Sequence, residues 1–157
     1  MSNLLQTAGV ILVWFSLGTL VYVYVGYPLL LAVIGLFSRR RKATPGYFPK
    51  ISVLIAAYNE EAGIRKKIED TLALDYPADK IEILVLSDCS TDRTDEIVKG
   101  VADPRVRLLR APVRKGKTNV QNLGADIAQG EVLIFSDATT VYHPFALQYL
   151  ACNYADP

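Results

Sequence analysis

No charged side chain occurs from Met1 to Ser38, whereas all 17 Lys and Arg and all 16 Asp and Glu lie beyond Ser38. This segregation limits what the chain can become before any other feature does. Leu4 to Phe37 is apolar or small almost throughout, well beyond the roughly 20 residues a membrane-crossing helix needs. Arg39-Arg40-Arg41-Lys42 follows at once. A basic cluster on one side and no charge on the other predicts a single span over 1–38, with the amino end outside and the remainder in the cytoplasm at the inner (cell) membrane. A cleaved signal peptide fits poorly, because the amino end has no basic region and the apolar run is too long. Two spans would each be too short, and no polar loop divides them. Gly26-Tyr27-Pro28 predicts a kink, or the level at which the helix meets the interface. Residues 39–50 then form a basic linker with Pro45, Gly46 and Pro49, running along the cytoplasmic membrane surface.

The remainder, 51–157, is long enough for one compact domain and too short for two. Net charge is +1 with acids and bases interleaved, so there is no nucleic-acid footprint. Cys89 and Cys152 are far apart in the sequence and read as reduced cytosolic thiols rather than a disulfide framework.

Ile51-Ser52-Val53-Leu54-Ile55-Ala56-Ala57 is a β-branched, apolar run that reads as a strand buried on both faces. It breaks into Tyr58-Asn59-Glu60-Glu61, where Asn59 predicts a helix N-cap and the two acids suit a first helical turn. Ile64, Ile68 and Leu72 then mark one apolar stripe of a helix ended by Asp75-Tyr76-Pro77. Ile81 to Leu86 predicts a second strand, closing in Ser87-Asp88. A helix is expected from Ser90-Thr91-Asp92, with Ile97, Val98 and Val101 inward, then a short strand from Val106 to Leu109. Lys117 to Gln129 predicts a third helix, with Val120, Leu123 and Ile127 on one side and Gly130 as its stop. Glu131 to Phe135 is a fourth strand closing in Ser136-Asp137, and a last helix runs from Pro144 through Leu150.

Strands alternating with helices predict an α/β fold: an N-terminal transmembrane helix, then a Rossmann-like, mostly parallel sheet. In the common nucleotide-binding order the first strand lies between the second and the fourth. Ala57-Tyr58, Ser87-Asp88 and Ser136-Asp137 would then end side by side. One strand-end Asp is most often a turn or helix cap, but two on neighbouring strands favour a shared ligand. Paired acids near bound phosphate point to a divalent cation, Mg2+ or Mn2+, with oxygen ligands. Arg114-Lys115-Gly116-Lys117 could hold phosphate through charge and helix-end amides, or be a solvated basic loop. Gly116-Lys117-Thr118 is not a P-loop, since Ala111 stands where that motif needs its first Gly. His143 is the only histidine, which excludes His-rich metal sites and argues against a serine-type triad. Tyr58 either packs on the helix or offers an aromatic face to a base or ribose.

These residues bring a known family into view. The chain resembles family 2 glycosyltransferases of the GT-A fold, especially the membrane-anchored bacterial ones that build or modify polysaccharides. Ile51 to Glu60 is similar to the opening strand and Tyr-Asn-Glu turn. Ser87-Asp88-Cys89-Ser90-Thr91-Asp92 resembles the Asp-Asp-Gly-Ser-Thr-Asp motif. Gly116-Lys117 with Asn122 resembles the Gly-Lys…Asn helix start, and Ser136-Asp137-Ala138-Thr139-Thr140 the Asp-x-Asp region. The resemblance implies that 51–157 is the nucleotide-sugar-binding half of a GT-A fold, with a nucleotide-diphosphate sugar as donor, UDP-linked by preference. It implies that Ala57, Tyr58 and Glu60 line the nucleotide site and that Asp88 contacts the uracil or ribose. Lys117 would lie near the diphosphate, and Asp137 would hold the divalent cation. Inversion at the anomeric carbon would follow from direct attack by an acceptor hydroxyl helped by a carboxylate base. Other subunits of a polysaccharide-synthesis machinery are implied partners.

Three departures accompany the likeness. Ser87 replaces the first acid of its motif and Cys89 its Gly, so the turn there is expected to differ. Thr139 stands where many relatives carry the second Asp, leaving Asp137 as the carboxylate ligand. The catalytic base and acceptor-binding half are expected beyond Pro157, so the chain reads as the donor half of an enzyme. A catalytically inactive, membrane-anchored nucleotide-sugar-binding remnant or subunit is the alternative. A nucleotidyltransferase is a further one, but it calls for a Gly-rich basic loop after the first strand, and Ala57-Tyr58-Asn59-Glu60 is not such a loop.

Overall fold

The uncharged stretch is helical throughout its described part. In the computed structural model, which describes residues 2–37, 44 and 46–155, α1 (Ser2–Val21) passes through one π-helical turn (Tyr22–Gly26) into α2 (Tyr27–Phe37). The π turn, closed by the Tyr27 amide donating to the Tyr22 carbonyl, falls where a kink was expected. Pro28 has no N–H to give to the preceding turn, and a local widening accommodates that loss. Gln6–Phe37 is one helix of 32 residues, long and apolar enough to cross a membrane. At 1.5 Å per residue it is ~48 Å long, more than the roughly 30 Å of bilayer hydrocarbon. The hydroxyls of Thr7, Ser16 and Thr19 donate to the carbonyls of Asn3, Leu12 and Phe15, so these groups need no water. The basic cluster Arg39 to Lys42 lies outside the described residues.

The chain divides into two compact units, Met1–Arg41 and Lys42–Pro157. In the second, β1 (Ile51–Ala57), β2 (Ile81–Ser87), β3 (Val106–Arg110) and β4 (Val132–Asp137) form one sheet in the order β3-β2-β1-β4. All three pairings are parallel. The connections carry α3 (Ile64–Leu72), α4 (Thr94–Lys99) and α5 (Lys117–Ile127), and α6 (Ala146–Ala151) follows β4. One face of the sheet buries Val53, Ile55, Ile83 and Val85 against Ile64 and Ile68 of α3, Val98 of α4 and Leu147 of α6. The other buries Leu54, Leu84 and Leu86 against Val120 of α5. Burial on both faces explains why β1 and β2 are continuous apolar runs rather than alternating ones.

Several local expectations are corrected. Asn59 is not an N-cap: it sits in the left-handed region with φ 55, and α3 begins only at Ile64. Its side-chain oxygen instead accepts from the Thr91 amide at 2.8 Å. The helix expected from Ser90 begins at Thr94, because Ser90, Thr91 and Asp92 bond across to the turn after β1. Ile127 is exposed, and Gly124 takes the buried place on α5 against Leu86. Gly130 has no left-handed backbone; its need is close approach. An added Cβ there would lie 2.6 Å from Ser52 Oγ and 2.8 Å from the Ile51 carbonyl carbon.

Candidate functional site

Register fixes where the site can be. Ala57 pairs with Ser87, and Ala56 pairs with Asp137, so β1, β2 and β4 end at one level. The chain leaves β1 between a strand that follows it and one that comes much later, which is the switch point where open α/β sheets form a crevice. A cavity of ≈ 330 Å³ opens there, lined among others by Ala57, Tyr58, Glu60, Asp88, Lys117 and Asp137. All six residues singled out in the sequence thus border one space. Ala56, Val120, Ala138 and Thr139 complete its wall.

Asp88 is 5% exposed. Its two oxygens accept the backbone amides of Lys115 at 3.1 Å and Gly116 at 2.9 Å. The carboxylate therefore holds a loop 27 residues away, and that loop delivers Lys117 to the start of α5. Gly116 has φ 89, which suits a residue without a Cβ. No local signal in the sequence announces this tie. Lys117 Nζ lies 2.5 Å from Asp137 Oδ1, both side chains about half exposed. Arg114 stacks its guanidinium over the Tyr58 ring at 3.7 Å, so the basic loop reaches over the aromatic at the end of β1.

The turn after β1 and the segment after β2 are laced together. The Asn59 amide donates to Ser90 Oγ at 3.2 Å, the Glu60 amide to Thr94 Oγ1 at 2.8 Å, and the Glu61 amide to Asp92 Oδ2 at 3.0 Å. In return the Arg93 amide donates to Glu61 at 3.1 Å. Burial raises the Asp92 pKa, but hydrogen bonds from the Thr94 hydroxyl and amide and the Glu61 amide outweigh it, and the net shift is downward. Cys89, at the position of the motif's Gly, adopts φ 59. The turn is left-handed there without a glycine, and the thiol donates to the Ala111 carbonyl at 3.1 Å.

The donor set fits a hard divalent cation in one way. Among the described residues no group of three or more His, Cys, Asp or Glu could cage a metal. Asp137 offers a half-exposed carboxylate to the cavity, and Thr139 lines it beside Asp137. One or two carboxylates completed by substrate phosphates and water is how Mg2+ sites are commonly built. Asp88 is the less available carboxylate, being 5% exposed with each oxygen already accepting one loop amide.

Comparison with known proteins agrees with this geometry. The profile described as glycosyl transferase family 2 matches residues 52–156. The probable glycosyltransferase YdaM of Bacillus subtilis is 36% identical over 107 residues, covering 65% of this chain and 26% of that protein. The beta-monoglucosyldiacylglycerol synthase of Nostoc sp. is 35% identical over 109 residues, covering 65% and 23%. The chain thus spans about a quarter of the length of these curated relatives. Among solved structures, the mannosyltransferase PcManGT from Pyrobaculum calidifontis, in complex with GDP-Man and Mn2+, superposes with TM-score 0.73 at 28% identity, covering 88% of this chain and 43% of that one. S. aureus TarS 1-349 in complex with UDP-GlcNAc gives TM-score 0.60 at 27% identity, covering 65% and 30%. The parallel four-stranded sheet is therefore that of a GT-A fold, and the chain belongs to glycosyl transferase family 2.

Proposed function

We propose that this chain binds the nucleotide-diphosphate sugar, UDP-linked by preference, from which a membrane-anchored, inverting glycosyltransferase transfers the sugar to a polysaccharide or other acceptor. The observation that carries the reading is the pairing of Lys117 with Asp137 in the wall of a cavity at the switch point of the sheet. A cation and a carboxylate, each half exposed at a strand end and a helix start, are the two groups a diphosphate–metal complex needs.

Each residue then has a task. Tyr58, beneath Arg114, and Ala57 border the space for the nucleoside, with Glu60 beside them. Asp88 keeps the basic loop in place through its two amide bonds, which gives it a positioning role in addition to the base or ribose contact implied by the resemblance. Lys117, at the start of α5, pairs with the diphosphate by charge-assisted bonds. Asp137 would hold Mg2+ or Mn2+. That cation, when bound, stabilises the negative charge that develops on the diphosphate leaving group. The 32-residue apolar helix supports a membrane anchor, and Arg39 to Lys42, next in the sequence, support a cytoplasmic side for this domain.

The test is isothermal titration of the full chain in detergent with UDP, with and without MnCl2. Binding that strengthens with Mn2+ and is lost in Asp137→Ala is expected. UDP binding unchanged by both Asp88→Ala and Asp137→Ala would sink the assignment.

A further inference from the structure

We propose that Lys67 is a positioning residue for Asp137, fixing the turn that presents this carboxylate to the divalent cation; the inference rests on the cation reading given above. Lys67 looks solvated in the sequence, within the basic run Arg65-Lys66-Lys67. In the fold Lys66 points outward and pairs with Asp70 at 2.7 Å, whereas Lys67 is only 4% exposed. Its Nζ donates to the Thr140 carbonyl at 2.6 Å and lies 4.2 Å from the centroid of the Tyr142 ring. The Thr140 amide in turn donates back to the Asp137 carbonyl at 3.2 Å. Asp137 to Thr140 is therefore a closed four-residue turn whose far carbonyl is gripped by Lys67.

The surroundings explain why a grip is needed. Behind the turn lies a second cavity of ≈ 300 Å³, lined by Lys67, Thr140 and Val141 and sharing Glu60, Ala138 and Thr139 with the first. Ala138 anchors the turn in the core, but Thr139 and Thr140 are exposed beside these two spaces, so packing does not fix the far end of the turn. Nor does packing call for a lysine: an apolar side chain of similar length would cover Tyr142 without the cost of a buried charge. Burial lowers the Lys67 pKa, and the Asp70 and Asp137 carboxylates act in the opposite direction. The ammonium thus bonds the turn that carries Asp137, and that carboxylate favours its charged form.

The experiment is titration of the full chain in detergent with UDP and, in parallel, GDP, each with and without MnCl2, for wild type, Lys67→Met, Lys67→Arg and Asp137→Asn. Groups that orient a metal ligand typically change metal affinity about tenfold or more. Lys67→Met should therefore cut the Mn2+ enhancement of nucleotide binding about tenfold while leaving metal-free binding unchanged. Lys67→Arg, which can still donate to the Thr140 carbonyl, should keep most of the enhancement. A merely structural role would lower both arms together, with the loss of folded protein visible by circular dichroism, and would overturn the proposal. Should Lys67→Met not fold, Lys67→Gln serves, since its amide ends short of Thr140 and the same loss is expected. Full Mn2+ enhancement in Lys67→Met, alongside its loss in Asp137→Asn, overturns the proposal and leaves the cation reading standing. Full enhancement in Asp137→Asn, or no nucleotide binding by wild type, overturns both.

Discussion

Replacing Asp88 by Asn changes one atom of a buried side chain, and its effect can be worked out bond by bond. Asp88 accepts two backbone amides, from Lys115 at 3.1 Å and from Gly116 at 2.9 Å. Hydrogen bonds to a charged group contribute about 1.5–3 kcal/mol each, neutral ones about 1 kcal/mol. The Asn amide keeps one neutral bond and turns an N–H group toward the other donor. The loop should then lose about 2–5 kcal/mol of local stability, without a cavity and without touching the apolar core. At 1.4 kcal/mol per factor of ten, that is at least about a 30-fold rise in the opening of this loop. Hydrogen exchange followed residue by residue reads it directly. The Lys115 and Gly116 amides should exchange faster by that factor, while amides within β1 and β2 keep their protection. UDP binding should weaken with the loop, because the loop carries Lys117 into the cavity. Unchanged exchange at Lys115 and Gly116 would refute the reasoning. Uniform loss of protection across the sheet would refute it too, since Asp88 would then support the fold rather than the loop.

The other expectations are simpler. Lys117→Met removes an ion pair whose members are half exposed, so unfolding stability should move by less than about 1 kcal/mol while UDP affinity in Mn2+ falls on the order of tenfold, as paired denaturation and titration would reveal. Gly130→Ala drives a Cβ against the Ser52 hydroxyl and the Ile51 backbone and disturbs the 2.7 Å bond from the Gly130 amide to Ser52 Oγ. An unfolding free energy in urea lower by about 2–4 kcal/mol is expected, against little change for Gly63→Ala, which meets nothing within 4 Å. Tyr76, whose hydroxyl donates to the Pro49 carbonyl at 2.6 Å, is pushed from 10.0 up to about 12, chiefly by burial. The unfolded chain therefore loses the phenol proton first: the stability tied to the neutral form is full below pH 10 and is lost as pH rises toward about 12. The stability difference between wild type and Tyr76→Phe should shrink over that interval, and a constant difference would refute the assignment.

The architecture was legible because its signals are local. Apolar runs of strand length alternating with charged, helix-spaced segments gave the four strands and their parallel order, and the strand order put the ends of β1, β2 and β4 together. Family 2 membership was legible for the same reason, as four short motifs in sequence. What could not be read depends on bonds between distant residues. The tie from Asp88 to Lys115 and Gly116, the lacing of Asn59 to Thr91, and the burial of Lys67 under Thr140 each join segments about 30 or more residues apart. Local propensity also misled in specific ways. Asn59 is a good cap by composition, but its side chain is used across the turn and its backbone is left-handed. Gly130 looks like a helix stop, but the absent Cβ is required by Ser52 on the neighbouring strand.

The central claim is that a divalent cation and a nucleotide meet between Lys117 and Asp137 at the ends of β1 and β4. The most direct measurement is paramagnetic line broadening by Mn2+ in the presence of UDP, followed at assigned backbone amides of the full chain in detergent micelles. The expected result is selective broadening around Asp137, Ala138 and Thr139 and at Ala57 and Tyr58, abolished by Asp137→Asn and reversed by replacing Mn2+ with Mg2+. Broadening centred elsewhere, or broadening at these residues that survives Asp137→Asn, would contradict it.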